Sequence, residues 1–256
     1  MGIISYAQNF EDVMLWRALK HVENGFYIDI GAHDPVIDSV SKAFYDNGWR
    51  GVHIEPLPGY CDALRKQRPD EEVLQAAVAQ KSGSIVFYEI PDTGISTASK
   101  EIAESHVQNG FTVNKINVPC MTLQQVFDHV GRTEIHWLKI DVEGLEKEVL
   151  KGWGRSLHRP WIVVLESTLP GTQQESYKVW EDLLTSREYS FVYFDGLNRF
   201  YLSKEHDELK SSFNAGPNIF DGFQLAGNAV FCRYVEIREK ENCAKAMSDM
   251  LSLIHI

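Results

Sequence analysis

The sequence predicts an α/β fold: a parallel sheet with helices on both faces and an antiparallel hairpin at one edge. Three observations carry this reading. Apolar runs of strand length alternate with segments of helical spacing, the order that builds a parallel sheet covered on both sides. The strand runs, such as residues 26–30 and 161–165, read as buried. Late in the chain, residues 191–194 and 200–202 flank a short loop that opens on Asp195-Gly196. That is a hairpin signal, and sheets of this kind accept an antiparallel edge.

The elements follow in order. Residues 9–20 have helical spacing, with Phe10, Val13, Met14 and Ala18 on one side. Residues 26–30 form the first strand, and 40–47 a helix closed by Gly48. Residues 52–54 form a second strand ended by Glu55-Pro56; 59–67 form a helix and 73–78 a third strand. Lys81-Ser82-Gly83 makes a turn into a strand over 85–88. Residues 91–118 carry Gly94, Ser96, Thr97, Ser99 and Gly110 and read as an elaborate loop. Thr122 is an N-cap for a helix ending at Val130, with Gln125 completing a capping box. Residues 135–140 are the strongest strand, 145–150 a helix ended at Gly152, 161–165 a buried strand and 173–186 a helix. The main domain spans 1–235. The tail, 236–256, is charged and then apolar, and is expected to form a helix. It is a candidate contact for a homodimer or larger assembly.

A chain of 256 residues with 44% hydrophobic content suits one domain with an added tail. The formal net charge of −11 disfavours a nucleic-acid partner, and no dense Lys/Arg run offsets it. Cys61, Cys120, Cys232 and Cys243 show no C-x-x-C spacing, and four scattered thiols fit a reducing cytosol. Charged residues from Glu11 to Glu23 leave no signal-peptide core, and no apolar run is long enough to span a bilayer. A cytoplasmic chain without a membrane span is expected.

Three strand ends carry polar residues where open α/β sheets bind ligands. The first is Asp29-Ile30-Gly31-Ala32-His33-Asp34-Pro35. Gly31 permits a tight turn and close backbone approach, and Asp29 can accept from an ammonium group. The second is His53-Ile54-Glu55, whose carboxylate is spaced to accept ribose hydroxyls. The third is Lys139-Ile140-Asp141-Val142-Glu143-Gly144. The first loop has one glycine where a pyrophosphate cradle uses three, which favours a nucleoside ligand without a diphosphate over NAD.

These residues carry a family resemblance. The chain resembles the FkbM methyltransferases through residues 5–12, the loop 27–35, and Gly48-Trp49-Arg50-Gly51-Val52-His53-Ile54-Glu55-Pro56. The match continues through Trp137-Leu138-Lys139-Ile140-Asp141-Val142-Glu143-Gly144, with Glu146 and Gly152, and through Val164-Leu165-Glu166. It runs from about residue 5 to about 203, and more loosely to 231. The resemblance implies a class I, Rossmann-like fold with a doubly wound, mostly parallel seven-stranded sheet. It implies S-adenosylmethionine as cofactor and an O-methyl product, often on a sugar hydroxyl. By position, Glu55 would hold the ribose, Asp29 and Gly31 would line the methionine and ribose part, and Ala76 and Ala77 would lie near adenine. Gln8 would approach from the N-terminal segment, with Ala32, His33, Pro56 and Asp141 completing the contacts. His33, Asp34 and Pro35 replace the small residues found in many relatives.

Methyl transfer to an alcohol needs the reactants held in line and a group to take the hydroxyl proton. Asp141 and Glu143 are the catalytic candidates. A competing reading of Glu143 is a cap on the helix after it. Glu166 ends the next strand, so a divalent ion between Asp141 and Glu166 is conceivable, but the acids are not clustered enough in the sequence to predict one. His33 reads as a loop residue beside the cofactor, not a base. Residues 91–118 and 214–223 are candidate substrate lids, and Asn198 and Arg199 either reach substrate or form a solvated turn. The expected partner is a sugar, glycan or small-molecule acceptor. The competing functions are an NAD-dependent sugar oxidoreductase and a non-catalytic binding module built on the same fold.

Overall fold

A computed structural model describes residues 2–132 and 134–232. In chain order the elements are β1 (Ile4–Ser5), α1 (Glu11–Leu19), β2 (Phe26–Ile30), α2 (Val40–Asp46), β3 (Arg50–Ile54), α3 (Pro58–Gln67) and β4 (Glu72–Leu74). Then come β5 (Ala77–Val78), β6 (Gly83–Glu89), α4 (Lys100–Gln108), β7 (Asn114–Met121), α5 (Leu123–Val130), β8 (Trp137–Ile140) and α6 (Glu146–Lys151). The last are β9 (Ile162–Glu166), α7 (Glu181–Thr185), β10 (Tyr189–Phe194), β11 (Asn198–Ser203) and β12 (Gln224–Leu225).

Seven strands form the main sheet in the order β10-β11-β9-β8-β2-β3-β4. The sheet is mixed. Pairings among β9, β8, β2, β3 and β4 are parallel, whereas β11 runs antiparallel to both β9 and β10. A mostly parallel sheet is therefore only part of the description. The hairpin lies at the edge because β11 returns from a tight Asp195-Gly196-Leu197 loop to pair with β9.

Alternate side chains of each central strand enter opposite layers. Val163 and Leu165 of β9 pack with Ile28, Leu138 and Ile140 against α5, α6 and α7. Ile162 and Val164 pack with Tyr27, Trp137 and Phe200 against α1 and α2. Tyr27 and Trp137 stack with ring centroids 4.5 Å apart. Trp49 and Trp137 are both buried in that second layer. Thr122 and Gln125 make the reciprocal capping box at the start of α5.

Three expectations need correction. Residues 73–78 are not one strand: β4 ends the main sheet, while β5 pairs with β7 in a separate three-stranded sheet that includes β6. The break falls at Ala76, whose N–H donates to the carbonyls of Glu55 and Leu74 and so turns the chain. Residues 91–118 contain α4 and β7 in addition to a loop. Ser99 caps α4 by accepting from the Ile102 N–H, while β7 pairs with β6 from Asn114 to Cys120. In β7 Ile116, Val118 and Cys120 recur at every second position, with Val118 and Cys120 buried and most of the other side chains exposed. Residues 173–186 form a short 3₁₀ turn (Tyr177–Val179) and α7, because Trp180 at φ −135° interrupts the helix. The tail, 236–256, lies outside the described residues.

Candidate functional site

From β2 the sheet grows through β3 to β4; from β8 it grows the other way through β9. The carboxyl ends of β2 and β8 are thus the switch point where such sheets bind ligands. Gly31 leaves β2 with φ +78° and donates its N–H to the Ile54 carbonyl at 2.9 Å. A Cβ at this position would lie 1.8 Å from the Asp141 carbonyl oxygen. Glycine is therefore required by the approach of β8 to β2, in addition to any ligand.

A cavity of about 240 Å³ opens at this point. Each position expected to contact the cofactor or to act in catalysis lines it. Gln8 comes from the N-terminal segment; Asp29, Gly31, Ala32 and His33 from the end of β2; Glu55 and Pro56 from the end of β3. Ala76 and Ala77 come from the chain entering β5, and Asp141 and Glu143 from the turn after β8. The stretch 91–118, expected as a substrate lid, contributes Gly94, Ile95, Ser96 and Ala98 to the wall. They belong to the loop 91–98, which Thr97 ties down by donating to the Glu143 carbonyl at 2.7 Å. Nothing in local spacing reveals that contact. Glu11 and Lys139 also line the cavity.

Glu55 is buried and fixed by two backbone donors, the N–H of His33 at 3.0 Å and that of Leu57 at 2.9 Å. A carboxylate has about four acceptor positions, so these bonds orient it without exhausting it. Burial pushes Glu55 up to about 7, against the pull of those N–H groups. His33 takes φ +49°, packs its ring 4.0 Å from that of Tyr60 and places Nε2 3.1 Å from the Thr93 carbonyl. It holds the loop to the cavity wall, and burial lowers its pKa.

Lys139 donates to Asp141 at 2.5 Å. Burial would lower its pKa, but Asp141, Asp29 and Glu11 together raise it, so Lys139 is a fixed cation in the wall. Glu143 does not cap α6: no side chain does, and the Gly144 N–H donates to Glu146. Glu143 Oε2 is buried with no hydrogen-bond partner, as is Glu166 Oε2 at the end of β9. One carboxylate oxygen each from Asp141, Glu143 and Glu166 lies within 4.8 Å of the others. Burial first, then the neighbouring carboxylates, push Glu143 up to about 8 and Glu166 up to about 10.

Other candidates lie elsewhere. Asn198 is buried against Glu11, and Arg199 pairs with Glu175 and Glu181 while stacking on Tyr177. Neither lines the cavity, nor does any residue of 214–223. Asp221 instead pairs with Arg17 at 2.6 Å.

The model of the methyltransferase FkbM domain matches residues 29–193, well over half of the chain and all three strand ends. The chain belongs to the FkbM methyltransferase family. Among solved structures, this family member is similar to the methyltransferase FkbM from Methylobacillus flagellatus KT, at 14% identity and a TM-score of 0.45. That match covers 75% of this chain and 47% of the other, so the chain spans about half the length of the Methylobacillus protein. A second similarity is to a TehB-like SAM-dependent methyltransferase from Corynebacterium glutamicum ATCC 13032 Kitasato. It has 8% identity and a TM-score of 0.41, covering 75% of this chain and 88% of that one. No curated protein matches. No helix among the described residues is long and apolar enough to cross a membrane.

Proposed function

We propose that this FkbM family member transfers a methyl group from S-adenosylmethionine to a hydroxyl, on a sugar or glycan. The observation that carries the reading is the pairing, in one cavity, of an oriented carboxylate at Glu55 with the acidic turn at Asp141 and Glu143. The donor set suits a nucleoside without a diphosphate. Glu55 keeps acceptor capacity for ribose hydroxyls, Asp29 offers a carboxylate to an ammonium group, and Ala76 and Ala77 leave a flat apolar wall for a base. Gly31 is committed to the Asp141 carbonyl, so the loop has no spare glycines to cradle a pyrophosphate.

S-adenosylmethionine supplies an electrophilic methyl group, and the chain supplies position. The loop 91–98 helps exclude water. Lys139 neutralises part of the acidic wall and keeps Asp141 in one orientation. Asp141 and Glu143 align the acceptor hydroxyl and take its proton, an effect expected to be worth about 10²–10⁴-fold in rate.

Calorimetry with S-adenosylhomocysteine and with NAD tests the cofactor: binding of the first and not the second is expected, and the reverse result overturns the reading. Mass-spectrometric methyl transfer to a panel of glycans tests the acceptor. Asp141→Asn and Glu143→Gln should lower the rate with folding intact; full activity in both removes their assigned role.

A further inference from the structure

We propose that Asp141, Glu143 and Glu166 form a binding site for one hard divalent cation, magnesium or manganese, at the edge of the cofactor cavity. Two segments converge there: the turn after β8, which carries Asp141 and Glu143, and the last residue of β9. Their carboxylate oxygens fall within 4.8 Å of one another. A six-coordinate cation with bonds of about 2.1–2.4 Å places adjacent ligands about 3.0–3.4 Å and opposite ligands about 4.2–4.8 Å apart, so oxygens all within 4.8 Å of one another can share one ion. All-oxygen ligands of this kind suit magnesium, calcium or manganese over softer metals. Three protein ligands would leave coordination positions for water or an acceptor, as magnesium prefers.

A second observation points to a ligand. Glu166 is only 8% exposed, yet its Oε2 has no hydrogen-bond donor. Glu143 Oε2 is buried and unpartnered in the same way. A buried carboxylate oxygen without a donor is costly, and the hydrogen bonds of the cluster offer no compensation. The cation beside it, Lys139, bonds to Asp141 alone among the three. Glu166 is not part of the cavity wall, whereas Asp141 and Glu143 are. A cation held by all three would therefore sit where the cavity ends and an acceptor would enter. Coordination would hold the acceptor oxygen and make its hydroxyl more acidic. That role, unlike the binding site itself, rests on the methyltransferase reading above.

The test is titration of the intact protein with Mn²⁺, followed by electron paramagnetic resonance of the free ion. One Mn²⁺ per chain is expected, displaced by excess Mg²⁺. Glu166→Gln and Glu143→Gln should each weaken it at least about tenfold, with a cooperative unfolding transition and an unchanged circular dichroism spectrum confirming that each variant is folded. No stoichiometric Mn²⁺, or equal binding by both variants and the parent, overturns the proposal. If methyl transfer proceeds undiminished in chelator, the acceptor role fails while the methyltransferase reading stands. If Mn²⁺ binds as expected and neither S-adenosylhomocysteine binding nor methyl transfer is found, the site stands and that reading fails.

Discussion

Gly31 and Asp141 meet backbone to backbone: the missing Cβ of Gly31 would lie 1.8 Å from the Asp141 carbonyl oxygen. The contact ties the end of β2 to the acidic turn after β8, so the loop after β2 and the candidate catalytic residues are placed together. At φ +78° a side chain is also conformationally disfavoured. Gly31→Ala should therefore destabilise the fold by about 3 kcal/mol or more. Chemical denaturation measures this, and a change within about 0.5 kcal/mol would show that the two strand ends separate freely.

Glu55 is expected to carry a large share of cofactor affinity. Glu55→Gln keeps the shape but places an amide where two backbone N–H groups and the ribose all require acceptors. S-adenosylhomocysteine binding should weaken about 10–100-fold, equivalent to about 1.5–3 kcal/mol. Calorimetry on the variant is the check, and unchanged affinity would remove Glu55 from the ribose site.

Glu11 should make stability depend on pH. Burial and the Asp195 carboxylate push it from the ordinary 4.5 up to about 8, against the attraction of Lys139. A folded-state value above the unfolded one means that the folded chain holds the proton more tightly. The stabilisation is complete below about pH 4.5 and is lost as pH rises through about 8. Relative to Glu11→Gln, the parent should lose about 1–3 kcal/mol between about pH 5 and 9. Denaturation curves at both ends of that window would decide it; parallel pH profiles would contradict the assignment.

Arg68 holds the region behind the cavity. It is fully buried and donates to Pro35 O, Ser39 Oγ and Ser41 Oγ, each at 2.7 Å, with Glu71 3.7 Å away. Glu71 in turn meets His53 and Tyr27. Removing one partner of a buried charged network leaves the others uncompensated, so Arg68→Ala should cost about 3–5 kcal/mol. Thermal and chemical denaturation test this, and a loss below about 1 kcal/mol would mean that the network tolerates the gap.

Much of the site was legible because its residues sit directly at strand ends. An apolar run followed by Asp29 and Gly31, by Glu55 or by Asp141 states both the strand and the polar group beyond it. The stretch 91–118 was legible as a candidate lid, but the tie that fixes 91–98 in the wall was not, because Thr97 reaches Glu143 across a long interval of sequence. The small sheet was hidden for a related reason: Ala77-Val78 continues the apolar pattern of β4, and only the turn at Ala76 sends it to another sheet. Arg199 looked like a loop tip, but its pairing in β11 buries it against Tyr177.

The sequence by itself determined the strand–helix alternation, the single-glycine loop and the carboxylates at three strand ends, because period and spacing are local properties. Tertiary structure alone decided that Glu166 joins Asp141 and Glu143. Those acids belong to two neighbouring parallel strands, and the parallel register that aligns Ile140 with Leu165 brings the residues beyond them together. It also decided that Gly31 answers to Asp141. Sequence spacing does not encode which strand packs beside which, and that adjacency sets both relationships.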